Sequence, residues 1–158
     1  MKRIFRSILC PIDFSAPARA ALRCAAAVAE SSEGTITVLY VNDPLLGTAA
    51  AAAAYDTAAM ARRTDAELKR FVQAALKGTR LPPRAVSHAV AFGKPAPVIV
   101  KRAAALGADL IVMGTRGLGG ASRFLLGSTT EQVLRKAAVP VLAVPPGATR
   151  SFGVRTAR

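Results

Sequence analysis

Apolar residues along this chain come in short blocks of two kinds, and the two kinds alternate. SILCPID, Ser7–Asp13, is a nearly unbroken apolar run of the sort that forms a strand buried on both faces. Thr35–Val41, Ala85–Ala91, Asp109–Met113 and Val139–Val144 repeat that character, with TITVLYV the richest in β-branched residues. Between these runs, apolar positions recur three and four apart, as on one face of a helix. Leu22, Ala25 and Ala29 follow Ser15, a natural helix cap, and that helix ends near Gly34. Leu68, Phe71, Val72 and Ala75 share one side of a helix over Thr57–Lys77, which Gly78 closes. Gly93 turns the chain, Pro95 suits a first helical turn, and Ile99, Ala103 and Leu106 line up beyond it. A fourth helix spans Thr129–Ala137.

Five strands alternating with four helices predict an α/β domain with a mostly parallel sheet and right-handed crossovers. One domain covers 1–146, and 147–158 is a basic tail. The alanine tract at 49–54 is either extra helix or a loose connection, and it offers no chemistry.

Composition changes this picture little. With 52% hydrophobic and 20% charged residues, the chain reads as globular rather than disordered. No apolar run reaches the roughly 18 residues of a membrane span, and MKRIFRSILCPIDF makes a poor signal peptide because Pro11 and Asp13 interrupt it. Cys10 and Cys24 show neither CxxC spacing nor a histidine cluster, so buried thiols in a cytoplasmic protein are expected, without metal or disulfide. The net charge of +13 is more provocative. Its basic residues are dispersed, however, and aromatics make up 5% with no Trp, which argues against a base-stacking surface. A solvated, anion-attracting surface is expected, with specific nucleic-acid binding not expected.

The chemistry concentrates in GTRGLGGASRFLLGSTTE, Gly114–Glu131, between the fourth strand and the fourth helix. A Walker A loop fails here because Gly120 stands where lysine is required, and a dinucleotide fingerprint fails because DFSAPA after the first strand holds no glycine. No GxSxG is present, and His88 on strand three has no evident partner. The pattern that does fit is G-x2-G-x9-G-[ST], at Gly114, Gly117, Gly127 and Ser128. Glycines at these positions allow close ligand approach and left-handed backbone. The N–H groups of the following helix, with the hydroxyls of Ser128 and Thr129, form an anion cradle. Arg116 and Arg123 add charge. A bland alternative is that Ser128 and Glu131 form a capping box, although that leaves Gly114 and Gly117 unaccounted for.

With ILCPIDFS, GKPAPVIV, ADLIVMGTRG and AAVPVLAVP in order along Ile4–Val144, the sequence resembles the universal stress protein family, in its ATP-binding branch. The resemblance implies an open sheet ordered 3-2-1-4-5 with helices on both faces, of the adenine nucleotide alpha hydrolase-like type. It implies an ATP site in which Pro11, Asp13 and Val41 line the adenine and ribose region and Met113 flanks the nucleoside. Gly114, Gly117, Gly127, Ser128 and Thr129 would hold the phosphates, and Mg would arrive on the nucleotide. Asp13 is the polar anchor, unless it merely caps the first helix. The resemblance also implies a homodimer through the Val139–Val144 edge strand. No base or water-positioning group is assigned, so binding is expected and turnover is not supported. The competing expectations are a nucleotide-free dimer acting through protein partners and a charge-driven nucleic-acid module.

Overall fold

The structure, a computed structural model, describes residues 4–43, 57–115 and 126–148. Its strands are β1 (Ser7–Ile12), β2 (Thr35–Asn42), β3 (Val86–Phe92), β4 (Leu110–Gly114) and β5 (Val141–Val144). The helices are α1 (Ala16–Ser32), α2 (Thr57–Leu76), α3 (Pro95–Ala105) and α4 (Ser128–Lys136), and one 3-10 turn over Pro83–Ala85 leads into β3. The five strands form one parallel sheet in the order β3-β2-β1-β4-β5, as expected. The alanine tract, Arg116, Gly117, Arg123 and the tail from 149 onward lie outside the described residues.

Strand alternation divides the core into two layers. Ile8, Cys10, Ile36, Val38, Leu110 and Val112 point toward α1 and α2, where Leu22, Ala25, Leu68, Phe71 and Ala75 meet them. Leu9, Leu39, Ile111 and Met113 point the other way, onto Ala96, Ile99 and Ala103 of α3 and Val133 of α4. The central strands are therefore apolar on both faces, which is why their sequences read as unbroken runs.

Local signals mostly act where they were expected. Ser15 caps α1, its side chain accepting the Ala18 N–H at 3.2 Å. Pro95 opens α3, and Gly78 and Gly93 take φ of +86° and +129°. Four expectations need correction. Leu106 lies outside the core, 41% exposed beyond the end of α3. Asp109 precedes β4 rather than opening it, and its carboxylate accepts the N–H groups of Arg6 (2.9 Å) and Ser7 (3.1 Å). β5 begins at Val141, two residues later than expected. His88 does have a partner, with Nε2 3.3 Å from Asp65 Oδ1 of α2.

Candidate functional site

In a sheet ordered 3-2-1-4-5 the direction of winding reverses between β1 and β4. The carboxyl ends of those two strands consequently bound a crevice, the usual ligand position in such sheets. Here the ladder between the two strands is short. The β1–β4 ladder pairs Ile8 with Leu110 and Leu9 with Ile111, while β1 stays paired to β2 through Ile12. Pro11 has no N–H to give to a ladder, so the two strands part near it.

Pro11, Val41 and Met113 lie toward the carboxyl ends of β1, β2 and β4 and project to the same face, the one covered by α3 and α4. Pro11 and Met113 are buried and Val41 is half-buried, so these three make an apolar wall. Asp13 follows β1 directly and is half-buried. Its Oδ1 accepts the Ser15 N–H at 3.1 Å, which fixes the turn into α1. The helix cap itself is Ser15, so the capping role considered for Asp13 does not hold; its carboxylate braces the turn ahead of the cap. Between them, Phe14 is held at φ +63°, a left-handed conformation that a bulky residue rarely adopts. Its ring lies 4.7 Å from Tyr40 and 5.5 Å from Phe71, centroid to centroid, and Arg19 sits 5.2 Å above Phe71. Burial, the main cause, raises the Tyr40 phenol above its ordinary range, with Glu67 and Asp13 adding to the effect.

On the other side of the crevice, Gly114 ends β4. A β-carbon there would come within 3.1 Å of the Pro17 backbone. The first turn of α1 therefore packs directly on the end of β4, and the β1–α1 turn and the β4–α4 loop leave the sheet side by side. Thr115 donates to Val144 O at 3.0 Å, and Gly127 donates to Thr115 O at 2.8 Å. The long glycine-rich stretch thus starts and finishes at one point on the sheet edge. The left-handed backbone that glycine allows is not used at Gly114 or Gly127. Gly114 has strand geometry, and Gly127 has φ −62° and ψ 146°. Close packing explains the first; the second is the N-cap of α4.

That last fact also overturns the capping box. Gly127, not Ser128, is the N-cap, no side chain among the described residues caps the helix, and the first intrahelical bond runs from Glu131 N–H to Gly127 O at 2.9 Å. The N–H groups of Ser128, Thr129 and Thr130 precede that bond and have no intrahelical acceptor. Ser128 is exposed and Thr129 half-buried at the helix mouth. Thr130, which sequence reasoning missed, is 3% exposed and donates its hydroxyl to Gly114 O at 2.9 Å, stapling α4 to the end of β4. Asp43, immediately after β2, is a further carboxylate at this edge that the sequence patterns did not single out. A groove of about 750 Å³ lies at the opposite edge, lined by Glu30, Glu33, Arg80 and Arg84; its mixed charge gives no preference for an anion.

The fold and site define a doubly wound α/β protein with a helix N-terminus at its topological switch. The family model described as the universal stress protein family matches residues 4–145, and the chain belongs to that family. A universal stress protein of Thermus aquaticus is 35% identical over 144 residues, covering 89% of this chain and 99% of its own. Among solved structures, the protein MJ0577 aligns with TM-score 0.75 and 27% identity over 90% of this chain and 96% of its own. UspA from Lactobacillus plantarum aligns with TM-score 0.70 and 28% identity over 90% and 99%. A universal stress protein complexed with cAMP and one from Archaeoglobus fulgidus complexed with dAMP share the fold at 23% and 20% identity. Their TM-scores are 0.61 and 0.60, and they cover 90% of this chain and 98% and 99% of their own.

Proposed function

We propose that this chain belongs to the ATP-binding branch of its family and acts as a regulatory stress-response protein that holds adenine nucleotide. One observation carries the proposal: Thr130 holds the first turn of α4, which no side chain among the described residues caps, beside the end of β4. The first amides of a helix, which have no acceptor within the helix, suit phosphate oxygens. Pro11, Val41 and Met113 would face adenine and ribose, with Asp13 accepting hydrogen bonds from the ribose or base. Gly114, Gly117, Gly127, Ser128 and Thr129 would surround the phosphates. Relatives of the same fold solved with cAMP and dAMP support an adenosine phosphate as the ligand class by analogy of fold.

Mg would come in on the phosphates, since no group of three or more His, Cys, Asp or Glu that could hold a metal occurs among the described residues. Binding rather than turnover is the activity we infer. The edge position of β5, with Leu142 39% and Leu134 43% exposed, supports a homodimer through Val139–Val144. Buried free thiols at Cys10 and Cys24 suit a cytoplasmic setting. No described helix is long and apolar enough to cross a membrane.

Acid extraction of the purified protein should release adenine nucleotide. At a hundredfold excess over Kd, Mg·ATP should stabilise the fold by about 2.7 kcal/mol, a melting shift of roughly 5–10 °C. Asp13→Ala and Gly127→Val should each remove that shift. Valine tolerates the Gly127 backbone angles, so its effect would come from bulk at the helix mouth. If both variants respond to ATP like the parent, the assignment fails.

A further inference from the structure

The dispersed positive charge of the sequence becomes ordered once α2 is wound. At 100° per residue, Arg62, Arg63, Lys69, Arg70 and Lys77 (the residue after the helix) all fall within an arc of about 120°. That arc is centred opposite Leu68, Phe71, Val72 and Ala75, which face the core. All five cations are exposed, and the acids of this helix, Asp65 and Glu67, fall on its flanks. Asp65 is turned to Lys69 (2.8 Å) and His88 (3.3 Å). The result is a row of positive charge about 22 Å long. Contacts with α1 hold its base: the Arg23 guanidinium donates to Ala75 O at 3.3 Å, and Arg19 stacks on Phe71.

We infer that the outer face of α2 is a docking ridge for the phosphate backbone of duplex nucleic acid. Charge complementarity selects a polyanion, because a duplex carries one phosphate charge per ~1.7 Å of axis. Ala66, Gln73 and Ala74 lie exposed on or beside the ridge. None is bulky enough to insert into a bilayer, which disfavours a lipid surface. The ridge has no aromatic ring to stack on an unpaired base, which disfavours single strands. Contacts of this kind position a protein without reading sequence. The ridge is separate from the crevice between β1 and β4 and does not depend on nucleotide binding there.

Fluorescence anisotropy of the full chain with a labelled 20-base-pair duplex, from 50 to 200 mM salt, tests the inference. Four to five phosphate contacts predict a fall in affinity of roughly two to three decades over that range. The triple variant Arg62→Glu, Arg70→Glu, Lys77→Glu should bind more than tenfold more weakly at 100 mM salt, with a much shallower salt slope. The triple variant Lys94→Glu, Lys101→Glu, Lys136→Glu makes the same change in net charge on exposed positions elsewhere and should lose no more than about threefold. The corresponding glutamine triple on α2, which keeps a good helix former at each position, covers the case in which charge reversal unfolds the helix. Equal losses in the two charge-reversal triples would reduce the effect to net charge and overturn the ridge. So would capture of the parent by vesicles containing 30% phosphatidylserine under conditions where the duplex is not bound.

Discussion

The two ends of the sheet are finished in opposite ways. At the amino end the polar groups are satisfied within the chain. Asp109 accepts the N–H groups of Arg6 and Ser7, and its own N–H donates to Ser7 O at 2.8 Å. Thr35 N–H donates to Arg6 O at 2.8 Å, and the Ser32 hydroxyl lies 2.8 Å from Phe5 O. At the carboxyl end the strand pairing lapses near Pro11, and α4 begins with amides that no side chain among the described residues caps. Backbone groups in a folded chain find partners, whether protein, solvent or ligand. The closed end ties the strands together, and the open end is where we propose that nucleotide binds. Stability and binding should therefore respond to different substitutions.

Gly34→Ala tests the closed end and should have the largest effect. A β-carbon at Gly34 would lie 2.8 Å from Phe5 O and 3.0 Å from the Arg6 Cα, both backbone atoms that cannot swing away. Overpacking of this kind costs about 3 kcal/mol, which urea denaturation would register as a lower midpoint at unchanged slope. The melting shift produced by Mg·ATP should persist. Loss of that shift along with the stability would mean that the two ends are coupled, and the contrast between them would break.

Phe14 tests the open end, where the effect is smaller and of unusual sign. Left-handed backbone costs a residue with a β-carbon roughly 1–2 kcal/mol, and glycine escapes that penalty. Both Phe14→Ala and Phe14→Gly lose the ring packing against Tyr40 and Phe71, so both should be less stable than the parent. Between the two, glycine should be the more stable by about 1 kcal/mol, although its unfolded chain is the more flexible. Urea midpoints in the order alanine above glycine would show that φ +63° is not retained in solution.

Much of this architecture is written locally. Unbroken apolar runs mark the central strands because both faces of the sheet are covered, and the Ser15 cap and the α2 core stripe follow from nearest-neighbour rules. The strand order came from family resemblance, since periodicity says nothing about which strands are neighbours. What stayed hidden depends on distant contact or on helical phase. Asp109 grips residues more than a hundred positions away, which no local pattern reveals. Moving the N-cap by one residue, from Ser128 to Gly127, makes Thr130 the inward hydroxyl. The strain at Phe14 carries no signal because turn residues are sought among Gly, Asn and Asp. Leu106 fits the helical spacing, yet α3 ends at Ala105 and leaves it in solvent.

The smallest effect should come from Asp65, which belongs to neither end and links α2 to the β3 edge. A hydrogen bond from Lys69, helped by the charges of Lys69 and His88, outweighs the opposing effect of burial and holds its carboxyl below the usual range. A depressed carboxylate stabilises the fold above its unfolded pKa, near the ordinary 3.8, and that contribution disappears as pH falls through the lower folded value. Asp65→Asn should therefore be slightly less stable than the parent at pH 7 and converge with it near pH 3. The group is exposed, so the gap should be near the resolution of a urea titration and should shrink further in 1 M salt. A difference that stayed constant from pH 7 to pH 3 would assign the role of Asp65 to packing instead of charge. Its Mg·ATP shift should equal the parent's at every pH where both are folded, because this pair touches neither the tied end nor the open one.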